Sequence, residues 1–451
     1  MSDKTLALIL AAGEGTRMRS LKPKVLHEVA HLPLVCHVMR VSDTADCDRL
    51  AIVVGSGSEA VSEAVKSENP NAEIFIQQER LGTAHAVLSA REAIESRDNV
   101  LVLFGDTPLL RTETLKKLKD ELESGAAVAV AGFMADDPEG YGRLLVKDGK
   151  LLAIREHKEA TDEERQVNFC NAGIMGLNGE HALELLDAVD NKNSKGEFYL
   201  TDVVEIANTR GLVVTAIEAA ETEVLGVDNR KKLAQAESLW QANHRIEVLD
   251  AGVTMHDPET VYFSNDTVIE PDVTLEPNQY FGPGVIVRSG AEIKAFCHFE
   301  GAEIGENAVI GPFARLRPGT DLAEDTKVGN FVEVKNAKVA EGAKLNHLTY
   351  IGDAEIGSKA NIGAGTITCN YDGMNKHKTV IGANAFIGSN SALVAPVTIG
   401  DGAYVGSGSV ITDDIPDDDM GVARGRQINK EGYAAKIRER NAAHKAERSK
   451  S

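Results

Sequence analysis

A six-residue beat runs through the C-terminal half of this 451-residue chain. Large apolar residues recur at Ile269, Leu275, Phe281, Val287, Ile293 and Phe299. After a shorter step the series resumes at Ile304 and continues through Ile310, Leu316, Leu322, Val328 and Val334. Further short steps lead to Val339, Leu345 and Ile351, then to Ile356 and Ile362. The beat returns at Ile381, Ile387, Leu393, Ile399, Val405 and Ile411. A helix repeats at about 3.6 residues and a half-buried strand at 2, so neither accounts for six. A solenoid does, because each short strand with its turn sends one apolar residue inward, and three such faces close one coil of a parallel β-helix. The residue after the apolar one is often glycine (305, 311, 329, 352, 357, 363, 382, 388, 400, 406), the residue expected at a tight corner.

The beat breaks between Ile362 and Ile381, where GAGTITCNYDGMNKHKTV brings in Asn370, Tyr371, Asp372, Lys376, His377 and Lys378. Insertions in solenoids form loops, and loops on rigid scaffolds carry function. A plain surface excursion is the competing reading.

Net charge is −21 with a pI near 5.1, which disfavours nucleic-acid and anionic-membrane binding but not small anions held by local cations. Five scattered cysteines without a CxxC argue for a reducing compartment and against zinc. The apolar run after Lys4 is short and lacks a small-residue cleavage site, and no stretch reaches transmembrane length, so a cytoplasmic protein without stable membrane association is expected. From Arg424 onward nine Lys/Arg stand against three Glu in a helical pattern with a frayed end, either a solvated tail or a clamp on a neighbouring subunit or a phosphate-bearing cofactor.

Residues 1–227 alternate strand-like runs (TLALILA, RLAIVVG, AEIFIQQ, NVLVLFGD, AAVAVAGFM) with helical segments such as SEAVSEAVKSE and GTAHAVLSAREAIES. This predicts an α/β, Rossmann-like domain: a mostly parallel sheet covered by helices, with ligands beyond the strand C-termini. At the first such end, Gly13 and Gly15 allow backbone N–H groups to approach a phosphate, and Arg17 and Lys24 follow. At a second, Asp106 is placed either to bind Mg²⁺ or to cap the next turn. Residues 228–251, with Leu233, Leu239, Trp240 and Ile246 at helical spacing, read as a linker helix before a 252–451 β-helix domain with its basic tail.

The N-terminal motifs LILAAGEGTRM, LKPK, QERLGTAHA, LFGD, EGYGR, REHK, CNAGI and GEFYLTD resemble sugar nucleotidyltransferases. RLRPG, GNFVEVK, NHLTYIGD and NIGAGTITCNYDG resemble left-handed β-helix acyltransferases. Their order along nearly the whole chain is similar to the bifunctional N-acetylglucosamine-1-phosphate uridyltransferase/glucosamine-1-phosphate N-acetyltransferase family. That resemblance implies acetyl transfer from acetyl-CoA to glucosamine 1-phosphate, then uridylyl transfer from UTP to N-acetylglucosamine 1-phosphate with Mg²⁺ and release of pyrophosphate. It also implies a homotrimer whose neighbouring subunits complete each acetyltransferase site.

Carried over residue by residue, the resemblance assigns Leu10, Ala11, Ala12, Gly13, Gln77, Gly82, Thr83, Phe104 and Gly105 to the uridine nucleotide, and Arg17 and Lys24 to its phosphates. Asp106 and Asp228 fall at the metal positions, and Gly142, Glu156 and Asn171 around the amino sugar. Asp228 departs from the family's usual Asn, which leaves three readings: Asp228 is a ligand, Asn229 supplies the ligand by a register shift, or Asp228 caps the following helix. In the second half, His347 matches the general base, with a reference pKa of about 6.5 suited to that task, and Glu333 is expected to orient it. Arg317, Lys335, Tyr350, Asn361 and Lys376 match glucosamine 1-phosphate positions. Ala364, Asn370, Tyr371, Ser389, Ser407 and Arg424 match acetyl-CoA positions, Ser407 replacing a small apolar residue. Two rival readings are a single-activity nucleotidyltransferase with a structural or regulatory β-helix, and an assembly scaffold with a decayed nucleotide fold. His347 and the NYDG insertion count against the first, and Arg17, Lys24 and Asp106 against the second.

Overall fold

The computed structural model describes residues 4–96, 98–147 and 149–448. It divides into two compact units, Met1–Val248 with Phe263–Asn265, and Leu249–Tyr262 with Asp266–Ser451.

In the first unit the sheet strands are β1 (Thr5–Ala11), β2 (Arg49–Gly55), β3 (Glu73–Gln77), β4 (Asn99–Phe104), β5 (Val128–Met134), β6 (Arg143–Lys147), β7 (Lys150–Arg155), β8 (Phe169–Leu177) and β9 (Val214–Glu218). Their order is β9-β5-β8-β4-β1-β2-β3, with β6 pairing β8 and β7. Pairing is parallel except along β8 and in the β6–β7 hairpin.

Both faces of β1 are buried, which is why it reads as a continuous apolar run rather than an alternating one. Ala7, Ile9 and Ala11 pack with residues of α1 (Leu34–Thr44), α2 (Glu59–Glu68) and α5 (Thr112–Glu123). Leu6, Leu8 and Leu10 pack on the other side with α3 (Thr83–Leu88), α4 (Arg91–Ile94), α6 (Ala182–Asp187) and α7 (Asp202–Thr209). The single helix suggested by GTAHAVLSAREAIES is two: Ser89 Oγ bonds back to His85 O at 3.0 Å, and Ala90 leaves helical geometry at φ −103° and ψ 28°. Helix α8 (Arg230–Asp250) seats Leu233 and Trp240 against Val29, Ala30 and Leu34.

In the second unit short parallel strands stack coil on coil. Val261 pairs with Gln279 and Gln279 with Cys297, eighteen residues apart, the period that three six-residue faces require. The five-residue steps shorten a coil to seventeen, as from Glu333 to Tyr350. The insertion lengthens one to twenty-five, from Ala354 to Thr379. From Leu275 to Ile411 every residue of the apolar series is at most 5% exposed. This is the left-handed parallel β-helix class.

The glycines beside that series serve a different purpose from the one expected. Among them Gly311 has the left-handed backbone of a tight corner, whereas Gly305, Gly329, Gly357, Gly363, Gly382, Gly388 and Gly400 lie too close to the backbone of the next coil to admit a Cβ. A Cβ on Gly329 would lie 1.8 Å from Asn346 O of the next coil. The left-handed corner positions go instead to residues such as Asn307, Asp325, Asn336 and Asp353. After the last coil, α9 (Tyr433–Arg448) is exposed along its length; residues 449–451 of the expected frayed end lie outside the described residues. No helix of the described residues is long and apolar enough to cross a membrane.

Candidate active sites

Strands β1 and β4 end side by side, Gly105 N donating to Leu10 O at 3.0 Å. The loops that follow enclose a cavity of about 290 Å³ lined by Leu10, Ala11, Ala12, Gly13, Lys24, Gln77, Gly82, Thr83, Phe104 and Asp106. Residues spread over nearly a hundred positions thus converge at one strand edge. Gly82 (φ +122°) lies against the chain at Phe198, where a Cβ would be 2.4 Å from the carbonyl oxygen, and Leu200 N donates to Thr83 Oγ1 at 2.9 Å. Arg80 and Glu197 also line the cavity, and neither was singled out from sequence. Arg80 donates to Ala12 O at 2.9 Å and pairs with Glu14 at 2.6 Å, tying the glycine loop down; its cation inside QERLGTAHA was the available signal. A larger cavity of about 890 Å³ lies among α1, residues 108–113 and α8 and contains none of the candidate residues.

Oppositely charged residues pair in the smaller cavity and on the chain beside Asp106. Lys24 crosses beneath Gly15, whose Cβ would meet Lys24 Cβ at 2.5 Å, and pairs with Asp106. Arg17 pairs with Asp228 at 2.8 Å, and Lys232 approaches the same carboxylate at 3.5 Å. Val227 N donates to Asp106 O at 2.8 Å, so the two acidic residues stand on adjoining backbones. Asn229 Oδ1 accepts from Lys232 N at 3.0 Å, making Asn229 the cap of α8. Capping occupies the Asn229 oxygen and leaves the Asp228 carboxylate on the cation side. Among the described residues no group of three or more His, Cys, Asp and Glu gathers, but Mg²⁺ requires only one or two carboxylates beside phosphate and water oxygens. The Asp106 and Asp228 pair fits that demand.

Gly142, Glu156 and Asn171 stand apart from the cavity lining. Asn171 N donates to Gly142 O at 2.8 Å, and Thr201 Oγ1 to Glu156 Oε1 at 3.3 Å. Next to Thr201, burial pushes the Asp202 carboxyl up to about 6, with Glu205, Asp190 and Glu156 adding repulsion. The folded protein therefore holds this proton more tightly than the unfolded chain. Stability from the group is complete below pH ~4 and lost as pH rises through about 6. Asp202→Asn is expected to raise the melting temperature at pH 7 and leave it unchanged at pH 4. The gain is on the order of 1 kcal/mol, discounted because the group is half-buried. Thermal scans at the two pH values check this.

In the β-helix the carbonyls of Asn330, His347, Ala364, Ser389 and Ser407 occupy one corner of successive coils. They accept from Leu348 N (3.1 Å), Gly365 N (3.2 Å), Asn390 N (2.7 Å), Gly408 N (2.8 Å) and Arg424 Nη1 (2.8 Å). His347 thus heads a column of acetyl-CoA candidates ending at Arg424. Its Nδ1 lies 2.7 Å from Asn330 Oδ1; that oxygen accepts, so Nδ1 donates and Nε2 stands outside this bond. The expectation that Glu333 orients this ring is corrected. Glu333 takes Arg317 Nη1 at 2.7 Å and sits opposite Tyr350, because a seventeen-residue coil brings Asn330, not Glu333, opposite His347.

Arg317, Glu333 and Tyr350 form a second group, with Lys335 opposite Gly352. A Cβ on Gly352 would lie 2.4 Å from Tyr350 Oη and 2.8 Å from Asn370 Nδ2, so those two polar groups crowd one point. Asn361 lies apart from that group, on the sheet that carries His347, between Lys344 and Phe386. The inserted loop is held by Asp372, which accepts from Asn375 N (2.6 Å), Met374 N (2.7 Å) and His377 Nε2 (2.7 Å). These bonds keep its carboxyl well below the usual carboxylate range. Lys376 Nζ stands 5.1 Å from the centre of the Tyr371 ring.

These two sites define a nucleotidyltransferase joined to a hexapeptide-repeat transferase. The family model of the MobA-like NTP transferase domain matches residues 7–167, and that of the bacterial transferase hexapeptide (six repeats) matches 378–413. The Bifunctional protein GlmU of Bartonella quintana (strain Toulouse) is 57% identical, covering 96% of this chain and 97% of its own. The Bifunctional protein GlmU of Agrobacterium fabrum is 55% identical with 100% of both chains covered, and that of Bartonella bacilliformis is 55% identical over 97% of this chain and 98% of its own. The chain belongs to the GlmU family, and is a bifunctional nucleotidyltransferase and acetyltransferase.

Proposed function

We propose that the chain makes UDP-N-acetylglucosamine in two steps on its two units. The acetyltransferase converts glucosamine 1-phosphate with acetyl-CoA, and the uridyltransferase joins the product to UTP. The full-length match to GlmU proteins carries this reading. It disfavours the single-activity alternative, since both halves are matched together. Incubation with glucosamine 1-phosphate, acetyl-CoA, UTP and Mg²⁺ should release both CoA and pyrophosphate. Release of pyrophosphate alone, with N-acetylglucosamine 1-phosphate supplied, would restore the single-activity reading.

For acetyl transfer, the substrate ammonium first sheds a proton. His347 Nε2 accepts a proton from the attacking amine, the amine nitrogen bonds to the thioester carbonyl carbon, and the C–S bond breaks. The imidazolium then protonates the departing CoA sulfur. Asn330 holds the ring in the required tautomer. Arg317, Lys335 and Lys376 neutralise the sugar phosphate, while Tyr350 and Asn361 bind hydroxyls. Ala364, Tyr371, Ser389, Ser407 and Arg424 track the CoA chain.

For uridylyl transfer, the sugar-phosphate oxygen attacks the α-phosphorus and pyrophosphate leaves. The protein's work is alignment and charge neutralisation. Leu10, Ala11, Ala12, Gly13, Gln77, Gly82, Thr83, Phe104 and Gly105 hold the uridine; Gly142, Glu156 and Asn171 hold the N-acetyl sugar. Asp106 and Asp228 would hold Mg²⁺, which would supply positive charge beside the phosphates. Arg17 and Lys24 turn from those carboxylates to the phosphates. We assign the protein to the cytoplasm, with small molecules as its substrates.

We also propose a homotrimer through the β-helix. Phe296, Phe313 and Phe331 stack at 5.0 and 5.1 Å between ring centres, stand about half exposed, and are followed by Leu348. All four take left-handed backbone, an unfavourable state for bulky residues. An exposed apolar ladder immediately beside the Asn330–His347 corner suits a surface covered by a neighbouring subunit. Phe313→Asn with Phe331→Asn relieves backbone strain while removing the ladder. Sedimentation should show monomers with uridylyl transfer retained and acetyl transfer lost; an intact, fully active trimer would exclude this interface.

A further inference from the structure

Asn336, Asp353 and Asn370 occupy equivalent corners on three successive coils, seventeen residues apart. Asn336 and Asp353 have left-handed backbone at φ 45° and 48°. Asn336 Nδ2 donates to Asp353 Oδ1 at 2.6 Å, and Asn370 Nδ2 donates to Asp353 Oδ2. A carboxylate only accepts, so this pairing dictates which end of each amide faces Asp353. Asn370 is 5% exposed, and its backbone is engaged as well: its N donates to Thr368 O at 3.0 Å and its O accepts from His377 N at 2.8 Å. With one Nδ2–H committed to Asp353, Asn370 presents its side-chain oxygen and its second amide N–H. That amide lies beside the Tyr350 hydroxyl, the two meeting at Gly352.

We propose that Asp353 is a positioning residue for acetyl transfer, fixing the Asn370 amide so that its oxygen accepts an N–H of the attacking amine. This rests on the assignment of Asn370 to the acetyltransferase site. An oxygen there aligns the nucleophile's lone pair with the thioester. The opposite amide orientation would instead donate to the thioester carbonyl. Asn336 completes the device by fixing the rotation of the Asp353 carboxylate.

Asp353→Asn tests the role in the full-length protein, because Asn keeps the size and tolerates the left-handed backbone. It offers one acceptor to two donors, so one of the two amides loses its partner. The expected result is a roughly tenfold fall in kcat for acetyl transfer, the effect of one misplaced hydrogen bond. Uridylyl transfer should stay unchanged. The exchanged pair Asp353→Asn with Asn370→Asp should recover kcat. In that pair the amide introduced at position 353 donates to the carboxylate introduced at position 370, and an acceptor oxygen again faces the amine. A merely structural role would not produce that recovery. An exchanged pair as slow as the single variant, or an Asp353→Asn protein with wild-type kcat, overturns the positioning role. Asn370→Ala separates the underlying assignment: wild-type acetyl transfer in that variant removes Asn370 from the site, whatever Asp353 does.

Discussion

Replacing His347 by alanine is expected to lower acetyl transfer by about 10²–10⁴-fold, the usual cost of losing a general base. The ring is prepared for that role by its surroundings. Its Nδ1 is committed to Asn330 at 2.7 Å, its backbone carbonyl accepts from Gly365 N and Thr349 Oγ1, and Nε2 is left to take a proton. Alanine removes the base without disturbing the inward neighbour Leu345, which is fully buried, so the coil should stay folded. Uridylyl transfer, whose residues lie before position 229, should be unaffected. Assaying CoA release and pyrophosphate release on the same preparation checks both statements. CoA release near the wild-type rate would remove His347 from the mechanism.

The second large effect is expected at Asp228. Its carboxylate faces Arg17 at 2.8 Å and Lys232 at 3.5 Å, beside a backbone that bonds to Asp106, while Asn229 is occupied with capping α8. As a ligand, Asp228 contributes a hard oxygen and a second negative charge near Mg²⁺. Asp228→Asn should keep substantial uridylyl transfer but shift its half-saturating Mg²⁺ concentration upward. Asp228→Ala should lose most of the activity. A readout independent of turnover is Mn²⁺ binding to the full-length protein, followed by electron paramagnetic resonance. It should weaken in the order wild type, Asn, Ala. An alanine variant that matched wild type in both measurements would exclude Asp228 as a ligand and return the competing readings. Acetyl transfer serves as the folding control for both variants.

Much of the architecture was legible in the chain because its causes are local and periodic. A six-residue apolar beat admits few structures other than a solenoid coil, and the predicted interior residues from Leu275 to Ile411 are buried as expected. Apolar runs such as TLALILA and NVLVLF announced strands covered on both faces. The glycine loop, its cations and Asp106 pointed to a strand-end site, and the structure gathers Gly13, Lys24 and Asp106 around one cavity.

What the chain did not disclose depends on which residues end up opposite one another. Arg80 and Glu197 are far apart in sequence from the loop they flank, and only the packing of residues 197–201 against 81–84 brings Glu197 in. The partner of His347 turned on coil length: seventeen residues place Asn330 across from it and send Glu333 to Arg317. A coil one residue shorter shows in the beat as a five-residue step, but that step does not say which outward side chains it brings together. Inward periodicity is therefore written in the sequence, since burial of each apolar residue is a local demand. Polar partnership across the coils was decided by the tertiary structure, where register and hydrogen-bond geometry select one neighbour from several of suitable chemistry.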